Sequence, residues 1–321
     1  MAEGSGALND SLPPEVFVRE VGPRDGLQAE DKWVETAEKI KLIDLLSRCG
    51  LKQIEATSFV HPKAIPQLRD ASEVMAAIQR APGVRYEAIV PNAKGAERAV
   101  EAGVDKIGIF ISATEAHNQA NVRMPIADSL RQVPGIVEIA RSAGIDIKGS
   151  VVVAFGCPYE GDVSEEQIFR VIHGYGKVGI REILLGDTTG MGNPVQVQRI
   201  VRSILREFGD VSLTLHFHDT RGTGLANVLA GLEAGVLSYD SSIGGLGGCP
   251  YAPGATGNIA TEDLVYMLEE MGVRTGVNLD SLLECARYAA TLADHVLPSH
   301  LLKAGKPTAL PSPPPSSSTD D

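Results

Sequence analysis

The sequence predicts an α/β fold, a closed (β/α)8 TIM barrel with extra helices at its C-terminal end. Eight strand candidates alternate with patterns of helical period along the chain. No second composition regime interrupts this alternation, which favours one barrel over two separate domains. The chain has 321 residues and 43% of them are hydrophobic. That length is ample for a one-domain barrel of about 250 residues.

The predicted strands are apolar runs that end at polar residues or glycines, and several predicted helices carry capping signals. Strands are predicted at 16–21, 53–57, 85–90, 106–111, 146–155, 182–186, 212–217 and 237–242. Helices are predicted between them at 35–49, 67–80, 93–102, 127–143, 164–178, 194–208 and 222–235, and beyond them at 261–271 and 278–293. Ser164 followed by Gln167, and Pro194 in a first turn, are typical of helix starts.

A doubly wound open sheet is the alternative fold. Its dinucleotide-binding form carries G-x-G-x-x-G in the first turn between strand and helix. Here that turn reads V-G-P-R-D-G-L-Q over residues 21–28, which argues against this alternative.

The two ends of the chain differ in composition from the middle. Residues 1–14 are small and polar, and residues 303–321 are rich in proline and serine. Such segments cannot bury an apolar core. We therefore expect disorder at both ends and one catalytic barrel domain over residues 15–300.

Charge and hydropathy exclude several classes of protein. A formal net charge of −12 argues against nucleic-acid binding, which needs a basic face. It still permits an anionic small ligand in a pocket lined by a few basic residues. No run approaches about 18 apolar residues, and the N-terminus lacks a signal or transit pattern. We therefore expect a cytoplasmic protein that does not span a membrane. The four cysteines form no C-x-x-C pair, so no zinc knuckle or disulfide framework is indicated.

The most informative motif is His216-x-His218, at the end of the predicted strand 212–217. Side chains at positions i and i+2 point to the same face of a strand. Because neutral imidazole is the commonest metal ligand, the pair can form half of a metal site. Two buried histidines bonded to their neighbours would give the same pattern, so further ligands must decide.

Asp25, after the first predicted strand, can supply a third metal ligand. The carboxyl ends of barrel strands meet at one face, where barrel enzymes place their active sites. A carboxylate with two imidazoles suits Mn²⁺, Fe²⁺, Co²⁺ or Zn²⁺, and Mg²⁺ less comfortably. A cation with open positions would polarise a substrate carbonyl or hydroxyl. As the alternative, Asp25 caps a helix or turn.

Three more charged residues belong to the same predicted face. Arg24 would stabilise a developing enolate or hold a carboxylate with two hydrogen bonds, unless it forms only a surface ion pair. Glu55 and Asp187 are either bases or partners that orient Arg24 or a histidine.

A glycine-rich segment, G-G-L-G-G-C over residues 244–249, follows the last predicted strand. Its glycines predict a mobile loop. A closing loop that carries the Cys249 thiol suits a proton donor excluded from water; a tight connector with an incidental cysteine is the alternative. Asn258 can add a neutral oxygen ligand, or it can form an Asx turn or helix cap.

With these residues in place, the chain resembles the 3-hydroxy-3-methylglutaryl-CoA lyase family of metal-dependent barrel enzymes. The resemblance spans residues 15–290. It is carried by E-V-G-P-R-D-G-L-Q (20–28), F-G-C-P-Y-E-G (155–161), G-D-T-T-G (186–190), H-F-H-D-T (216–220), G-L-G-G-C-P-Y-A-P-G-A-T-G-N (245–258) and A-T-E-D-L-V-Y-M-L (260–268).

The resemblance implies roles for individual residues. The metal ligands would be Asp25, His216, His218 and Asn258, and the metal would be Mg²⁺ or Mn²⁺. The catalytic residues would be Arg24, Glu55, Asp187, His216 and Cys249. Arg24 would stabilise the enolate of acetyl-CoA, and Cys249 would act in proton transfer on a closing lid. The implied reaction is retro-Claisen cleavage of 3-hydroxy-3-methylglutaryl-CoA into acetyl-CoA and acetoacetate.

Several positions depart from the family pattern in the substrate and CoA environment. Arg221-Gly222-Thr223-Gly224 replaces the usual Y-G-Q-A, Leu184 replaces a frequent serine, Lys148 replaces a frequent arginine, and N-V-R-M-P from Asn121 replaces N-I-N-x-S. The expected substrate-binding residues are Arg24, Asn121, Lys148 and Arg221, although a surface ion pair for Arg221 is equally open. The CoA phosphates would need some of Lys63, Arg123 and Lys148.

These departures leave acyl specificity open. A related 3-hydroxyacyl-CoA such as citramalyl-CoA is the alternative substrate. Claisen condensation and a non-catalytic, metal-stabilised barrel are further alternatives. The expected partners are an acyl-CoA substrate and a second copy of the chain in a homo-oligomer, with a dimer favoured.

Overall fold

A computed structural model describes residues 12–248 and 256–307, and its centre is a closed barrel of eight parallel strands. The strands follow one another around the barrel in chain order. They are β1 Phe17–Glu20, β2 Gln53–Ser58, β3 Arg85–Ile89, β4 Lys106–Ser112, β5 Asp146–Val152, β6 Glu182–Asp187, β7 Ser212–Phe217 and β8 Ser238–Ser241. The predicted barrel is confirmed.

Closure is made by the first and last strands. β1 pairs in parallel with β8 from Phe17 opposite Ser238 to Glu20 opposite Ser241. A closed ring has no free edge strand, which excludes the open doubly wound sheet.

The helices lie outside the barrel and cover its outer face. They are α1 Thr36–Leu46, α2 Ala71–Ala77, α3 Ala93–Glu101, α4 Glu115–Val122, α5 Ile126–Ser142, α6 Glu165–Lys177, α7 Pro194–Glu207, α8 Gly224–Glu233, α9 Thr261–Glu270, α10 Leu279–Ala290 and α11 His300–Ala304. A capping box at Ser164 and an Asn193 side-chain cap start α6 and α7 near the predicted positions.

The structure corrects three predictions of secondary structure. β5 ends at Val152 rather than at Phe155, because Val153 has a positive φ of 54°, which no strand residue adopts. α4 and the short α11 have no counterpart among the predicted helices. α4 lies between β4 and α5, and therefore on the face of the barrel where the strands end.

Two kinds of core occupy the molecule. Between strands and helices the buried side chains are apolar. Inside the barrel, by contrast, charged side chains from different strands contact one another, which the sequence analysis did not predict. They are Arg19, Glu55, Glu87, Lys106, Lys148, Glu182 and Asp240.

Near the ends, the described chain packs on the barrel. Leu12 contacts the apolar core, and Pro14 accepts a hydrogen bond from Arg274 N at 3.1 Å. α11 crosses the predicted start of the tail at residue 303, whereas most of both predicted disordered ends, 1–11 and 308–321, lies outside the described residues. Within the described part of the chain, every helix is too short or too polar to span a membrane.

Candidate active site

His216 and His218 meet Asp25 at the face where the strands end. His216 is the fifth residue of β7, and His218 follows that strand immediately. The Nε2 atoms of His216 and His218 lie 3.9 and 3.7 Å from Asp25 Oδ2. One ligand atom from each of the three residues lies within 4.8 Å of the other two, so the predicted convergence on one point is confirmed.

A short π-helix, Gly22–Gly26, presents Arg24 and Asp25 to this point. The amides of Arg24, Asp25 and Gly26 all point to the Val21 carbonyl, at 3.1, 2.7 and 3.4 Å. This turn needs glycine at its start, because a Cβ on Gly22 would lie 2.6 Å from Glu20 Oε1 and 3.1 Å from the Ile243 backbone nitrogen. Such π-turns often occur at functional sites.

Asn258 completes the ring of side chains around Asp25. Its Nδ2 donates hydrogen bonds to Asp25 Oδ2 at 2.8 Å and to Leu246 O at 3.1 Å. Its backbone forms an isolated bridge with His218. The Oδ1 atom of Asn258 is buried and has no hydrogen-bond partner within the described residues.

The donor set fits a divalent cation. Burial opposes the charge on Asp25, but Arg24 and the two histidines hold the pKa of its carboxyl well below the usual value. The site therefore presents one fixed carboxylate, two imidazoles and, in Asn258 Oδ1, a neutral oxygen without a donor. Carboxylate and amide oxygens suit hard cations, and imidazoles suit transition metals.

Arg24 lies beside these ligands and is held from two sides. Its Nη1 donates to Asp25 Oδ1, and its Nε and Nη2 contact Glu55 Oε1. Burial opposes the guanidinium charge, yet Asp25 and Glu55 raise the pKa of Arg24. Its side chain remains 15% exposed. A fixed, partly accessible cation next to a metal site can stabilise an oxyanion on a bound ligand.

Comparisons with known proteins agree with this geometry. The HMGL-like family model matches residues 15–288. The chain is 47% identical to the hydroxymethylglutaryl-CoA lyase YngG of Bacillus subtilis over 294 residues, which cover 92% of this chain and 98% of that enzyme. It is 48% identical over 278 residues to the human mitochondrial hydroxymethylglutaryl-CoA lyase, covering 87% of this chain and 86% of the relative. The chain belongs to the HMGL-like family.

Solved structures of HMG-CoA lyases superpose closely on this chain. An HMG-CoA lyase from Acinetobacter baumannii, in complex with coenzyme A and 3-methylmalate, superposes with a TM-score of 0.89 at 50% identity and covers 94% of this chain and 98% of that one. The HMG-CoA lyase of Bacillus subtilis gives a TM-score of 0.89 at 47% identity, covering 91% and 98%.

Glu55 and Asp187 hold different groups in this HMGL-like site. Glu55 receives Arg24 on one oxygen and Lys148 Nζ on the other, at 2.9 Å; these contacts fit the predicted role of orienting Arg24, which stays a prediction. Asp187 accepts the amides of Met191 at 2.9 Å and Gly192 at 3.0 Å, which fixes the loop after β6. Burial raises the pKa of Asp187 despite these bonds. A base role for Asp187 stays a prediction.

The structure corrects the expected role of Lys148. Its Nζ lies 2.9 Å from Glu55 Oε2 and 2.5 Å from Glu87 Oε1, and the side chain is 1% exposed. A cation held between two carboxylates below the site cannot reach substrate or a CoA phosphate without breaking buried ion pairs. Lys63 and Arg123 are exposed, and their contact with the CoA phosphates stays a prediction.

The other predicted substrate contacts are spread over several loops. Arg221 Nη1 donates to the carbonyls of Thr189 and Gly190 at 2.8 and 3.0 Å, joining the loops after β7 and β6. Carboxylate binding by Arg221 stays a prediction, as does substrate binding by Asn121, which is exposed on α4. Cys249 lies outside the described residues.

Three charged residues near the site, Arg19, Glu87 and Asp240, were not predicted from the sequence. Asp240 Oδ2 lies 3.3 Å from His216 Nδ1, and burial is outweighed by Arg19 and Lys148, which lower the pKa of the Asp240 carboxyl. The available signal was a charged residue between apolar or aromatic neighbours inside a predicted strand, as at Glu87 between Tyr86 and Ala88.

Proposed function

We propose that this chain is a divalent-metal-dependent carbon–carbon lyase that cleaves 3-hydroxy-3-methylglutaryl-CoA into acetyl-CoA and acetoacetate. The observation that carries the proposal is Arg24 fixed beside the Asp25–His216–His218 cluster, in a chain of the HMGL-like family. Asp25, His216, His218 and Asn258 would hold Mg²⁺ or Mn²⁺. When bound, the cation supplies Lewis-acid polarisation of the substrate oxygens.

The reaction breaks the bond between the α and β carbons of the thioester. The tertiary hydroxyl loses its proton and becomes the ketone of acetoacetate, while the bonding electron pair passes to the α carbon as an enolate. Arg24, oriented by Glu55, would stabilise the enolate oxygen. Asp187 is our candidate for the proton acceptor, since burial raises the pKa of its carboxyl and it lies close to both histidines. Cys249 is the proposed donor of the proton to the enolate.

The deciding experiment measures acetyl-CoA release from 3-hydroxy-3-methylglutaryl-CoA with Mg²⁺, with Mn²⁺ and after EDTA treatment. We expect release with either metal, loss with EDTA and recovery on metal addition. Asp25→Asn removes the carboxylate of the site and should abolish release. Asp128→Asn, at an exposed ion pair with Arg131, is the matched control and should keep it. Absence of release with both metals would defeat the proposal.

A related 3-hydroxyacyl-CoA is the second candidate substrate. The Acinetobacter baumannii lyase binds 3-methylmalate with coenzyme A, and in this chain Leu184 faces the barrel interior, two residues along β6 from Glu182. A panel of citramalyl-CoA, 3-methylmalyl-CoA and the proposed substrate separates the two by kcat/KM. The expected homodimer and cytoplasmic location stay predictions, and light scattering tests the dimer.

A further inference from the structure

A chain of buried charges runs through the barrel beneath the site. We define the interior ion network as Arg19, Glu55, Glu87, Lys148 and Asp240. These residues come from β1, β2, β3, β5 and β8, and every one of these side chains is 5% exposed or less. The network therefore spans the barrel from one side to the other.

One end of the network holds a proposed metal ligand. His216 Nδ1 lies 3.3 Å from Asp240 Oδ2, and Asp240 Oδ1 lies 3.5 Å from Arg19 Nε. Arg19 Nη2 continues to Glu87 Oε2 at 2.8 Å, and its Nη1 donates to Thr214 Oγ1 at 3.1 Å. Asp240 thus lies between the His216 imidazole and the Arg19 guanidinium, and its contact with Arg19 is an ion pair without a hydrogen bond.

The other end holds the proposed enolate-stabilising residue. Glu87 Oε1 lies 2.5 Å from Lys148 Nζ, which lies 2.9 Å from Glu55 Oε2. The remaining oxygen of Glu55 contacts Arg24. A continuous path of charged contacts therefore joins His216 to Arg24 through five buried side chains, Asp240, Arg19, Glu87, Lys148 and Glu55.

Stability alone does not explain this arrangement. Barrel interiors are usually filled with bulky branched apolar side chains. Replacing buried ion pairs by such residues is often neutral or stabilising, because desolvation offsets the Coulomb attraction. Breaking one pair, in contrast, leaves a buried charge without a partner. The interior ion network therefore adds little to stability, but it restricts the positions of the two groups at its ends, His216 and Arg24.

We propose that Asp240 and Glu87 are positioning residues, which set the imidazole of His216 and the guanidinium of Arg24 relative to each other; this rests on the proposed lyase function. A carboxylate only accepts hydrogen bonds, so Asp240 requires a hydrogen on His216 Nδ1 and leaves the Nε2 lone pair toward Asp25. Glu87 contacts Arg19 with one oxygen and Lys148 with the other. It therefore connects the residues that lead to His216 with those that lead to Arg24.

Asp240→Asn is the first test, with Mn²⁺ binding followed by electron paramagnetic resonance of the free ion. The amide can donate to Nδ1 and so favours the wrong imidazole tautomer. We expect Mn²⁺ affinity to fall roughly 10–100-fold, as for other groups that orient metal-bound histidines. Asp70→Asn is the matched control, since Asp70 forms a buried pair with Lys39 at 2.8 Å between α1 and α2. The control should lower thermal stability and leave Mn²⁺ affinity unchanged.

Glu87→Gln is the second test, because this residue contacts neither the histidines nor Arg24 among its described partners. We expect kcat to fall more than about tenfold, with KM for the acyl-CoA within about twofold, because substrate binding groups stay in place. A variant whose kcat matches that of Asp70→Asn would overturn the role of Glu87. Unchanged Mn²⁺ affinity in Asp240→Asn would overturn that of Asp240.

The two proposals fail in different ways. A wild-type protein that releases no acetyl-CoA contradicts the lyase function, whereas the Mn²⁺ comparison between Asp240→Asn and Asp70→Asn still decides the positioning role. Should Asp240→Asn fail to fold by circular dichroism, Glu87→Gln decides on kcat alone.

Discussion

The contacts of Arg24 indicate its role in the site more clearly than those of any other candidate residue. Its guanidinium contacts carboxylates on two sides, Asp25 and Glu55, yet part of it stays open to the site. A planar fork of donors can hold both carboxylates and still face a third oxygen. Lysine carries the same charge but only a compact ammonium group, so it cannot satisfy this geometry.

We therefore expect Arg24→Lys to fold normally and to lose activity. The lost oxyanion contact should lower kcat by roughly 10²–10³, which is the usual effect of removing one such donor. Steady-state kinetics with saturating Mg²⁺ measures this. Arg80→Lys is the control, because Arg80 forms an exposed pair with Asp105 and should keep wild-type kcat. A kcat within threefold of wild type in Arg24→Lys would contradict an enolate-stabilising role.

Lys148 has a different role from Arg24, although both contact Glu55. Lys148→Met would remove one of the two cations that contact each of Glu55 and Glu87. Arg24 would stay on Glu55 and Arg19 on Glu87, and both carboxylates would stay buried. Loss of one partner of a buried pair costs about 3–5 kcal/mol in unfolding free energy. Urea denaturation measures this cost, and KM for the acyl-CoA should stay close to wild type. A large rise in KM with unchanged stability would instead support substrate binding by Lys148.

At the level of single residues, the sequence predicts the polar side chains that follow strand ends, together with Glu55 and Lys148, and misses the interior charges Arg19, Glu87 and Asp240. Asp25, His216 and His218 stand out because polar groups follow apolar runs. Asp240 and Glu87 sit within strands, and only the closed barrel brings them onto His216 and Lys148. Contacts between residues on separate strands depend on register, which periodicity does not supply.

The segment between β8 and α9 is the element that brings Asn258 to the site. It leaves through a short 3₁₀ turn, Ile243–Gly245, and returns to form isolated bridges at Thr256, Asn258 and Ala260. Gly248 pairs with Thr256. The backbone at Gly257 passes so close to the backbone at Gly247 that only glycine fits at position 257.

Gly257→Ala should push the backbone at residue 257 away from the backbone at Gly247. A Cβ at this position would lie 2.0 Å from Gly247 O, and a backbone carbonyl cannot move aside as a side chain does. We expect Asn258 to shift, with stability lowered by about 1–3 kcal/mol and Mn²⁺ affinity reduced. Gly209→Ala is the control, because beyond its chain neighbours no atom of residues 12–248 and 256–307 lies within 4 Å of the added Cβ. Equal Mn²⁺ affinity in the two variants would show that the glycine does not place Asn258.

The ends of helices were predicted accurately where the sequence carries capping residues. α6 and α7 have capping side chains at Ser164 and Asn193, and their predicted ranges differ from the observed ones by one residue at each affected end. α4 carries the polar sequence E-A-H-N-Q-A-N-V without an apolar stripe, so periodicity could not find it. It is held by its contacts: Asn118 Oδ1 accepts the Ser112 amide at 3.1 Å, and its Nδ2 donates to Met124 O at 2.8 Å.

For the whole molecule, the number and order of βα units predicted closure, but not the nature of the interior. Eight parallel strands joined by outer helices close into a barrel by packing rules alone. The interior charges required knowing which residues face inward at each level. Four cations, Arg19, Arg24, Lys106 and Lys148, meet four carboxylates, Glu55, Glu87, Glu182 and Asp240. Asp25 adds a further negative charge at the site, where a bound cation would balance it.

Closure of the barrel also depends on one buried acid, Glu20. Its Oε1 accepts the amides of Gly22 at 2.7 Å and Ile243 at 2.8 Å, and its Oε2 accepts the Thr261 hydroxyl at 2.7 Å. The side chain thus ties the first strand to the segment after the last strand and to α9. Burial raises the pKa of Glu20 to about 8, and the neighbouring Glu262 adds to this rise.

Global stability should therefore fall as pH rises, and Glu20→Gln should remove much of that fall. Because the pKa of Glu20 is raised on folding from 4.5 to about 8, the folded state holds this proton more tightly than the unfolded state. The stabilisation is complete below the unfolded pKa and is lost as pH rises through the folded one. A tenfold difference in proton affinity between the two states corresponds to about 1.4 kcal/mol, so between about pH 5 and about pH 8 wild type should lose on the order of 3 kcal/mol relative to Glu20→Gln. Urea denaturation across this range measures the difference. Glu15→Gln, at an exposed pair with Arg274, should keep the wild-type slope, and equal slopes in wild type and Glu20→Gln would show that this acid is ionised without cost.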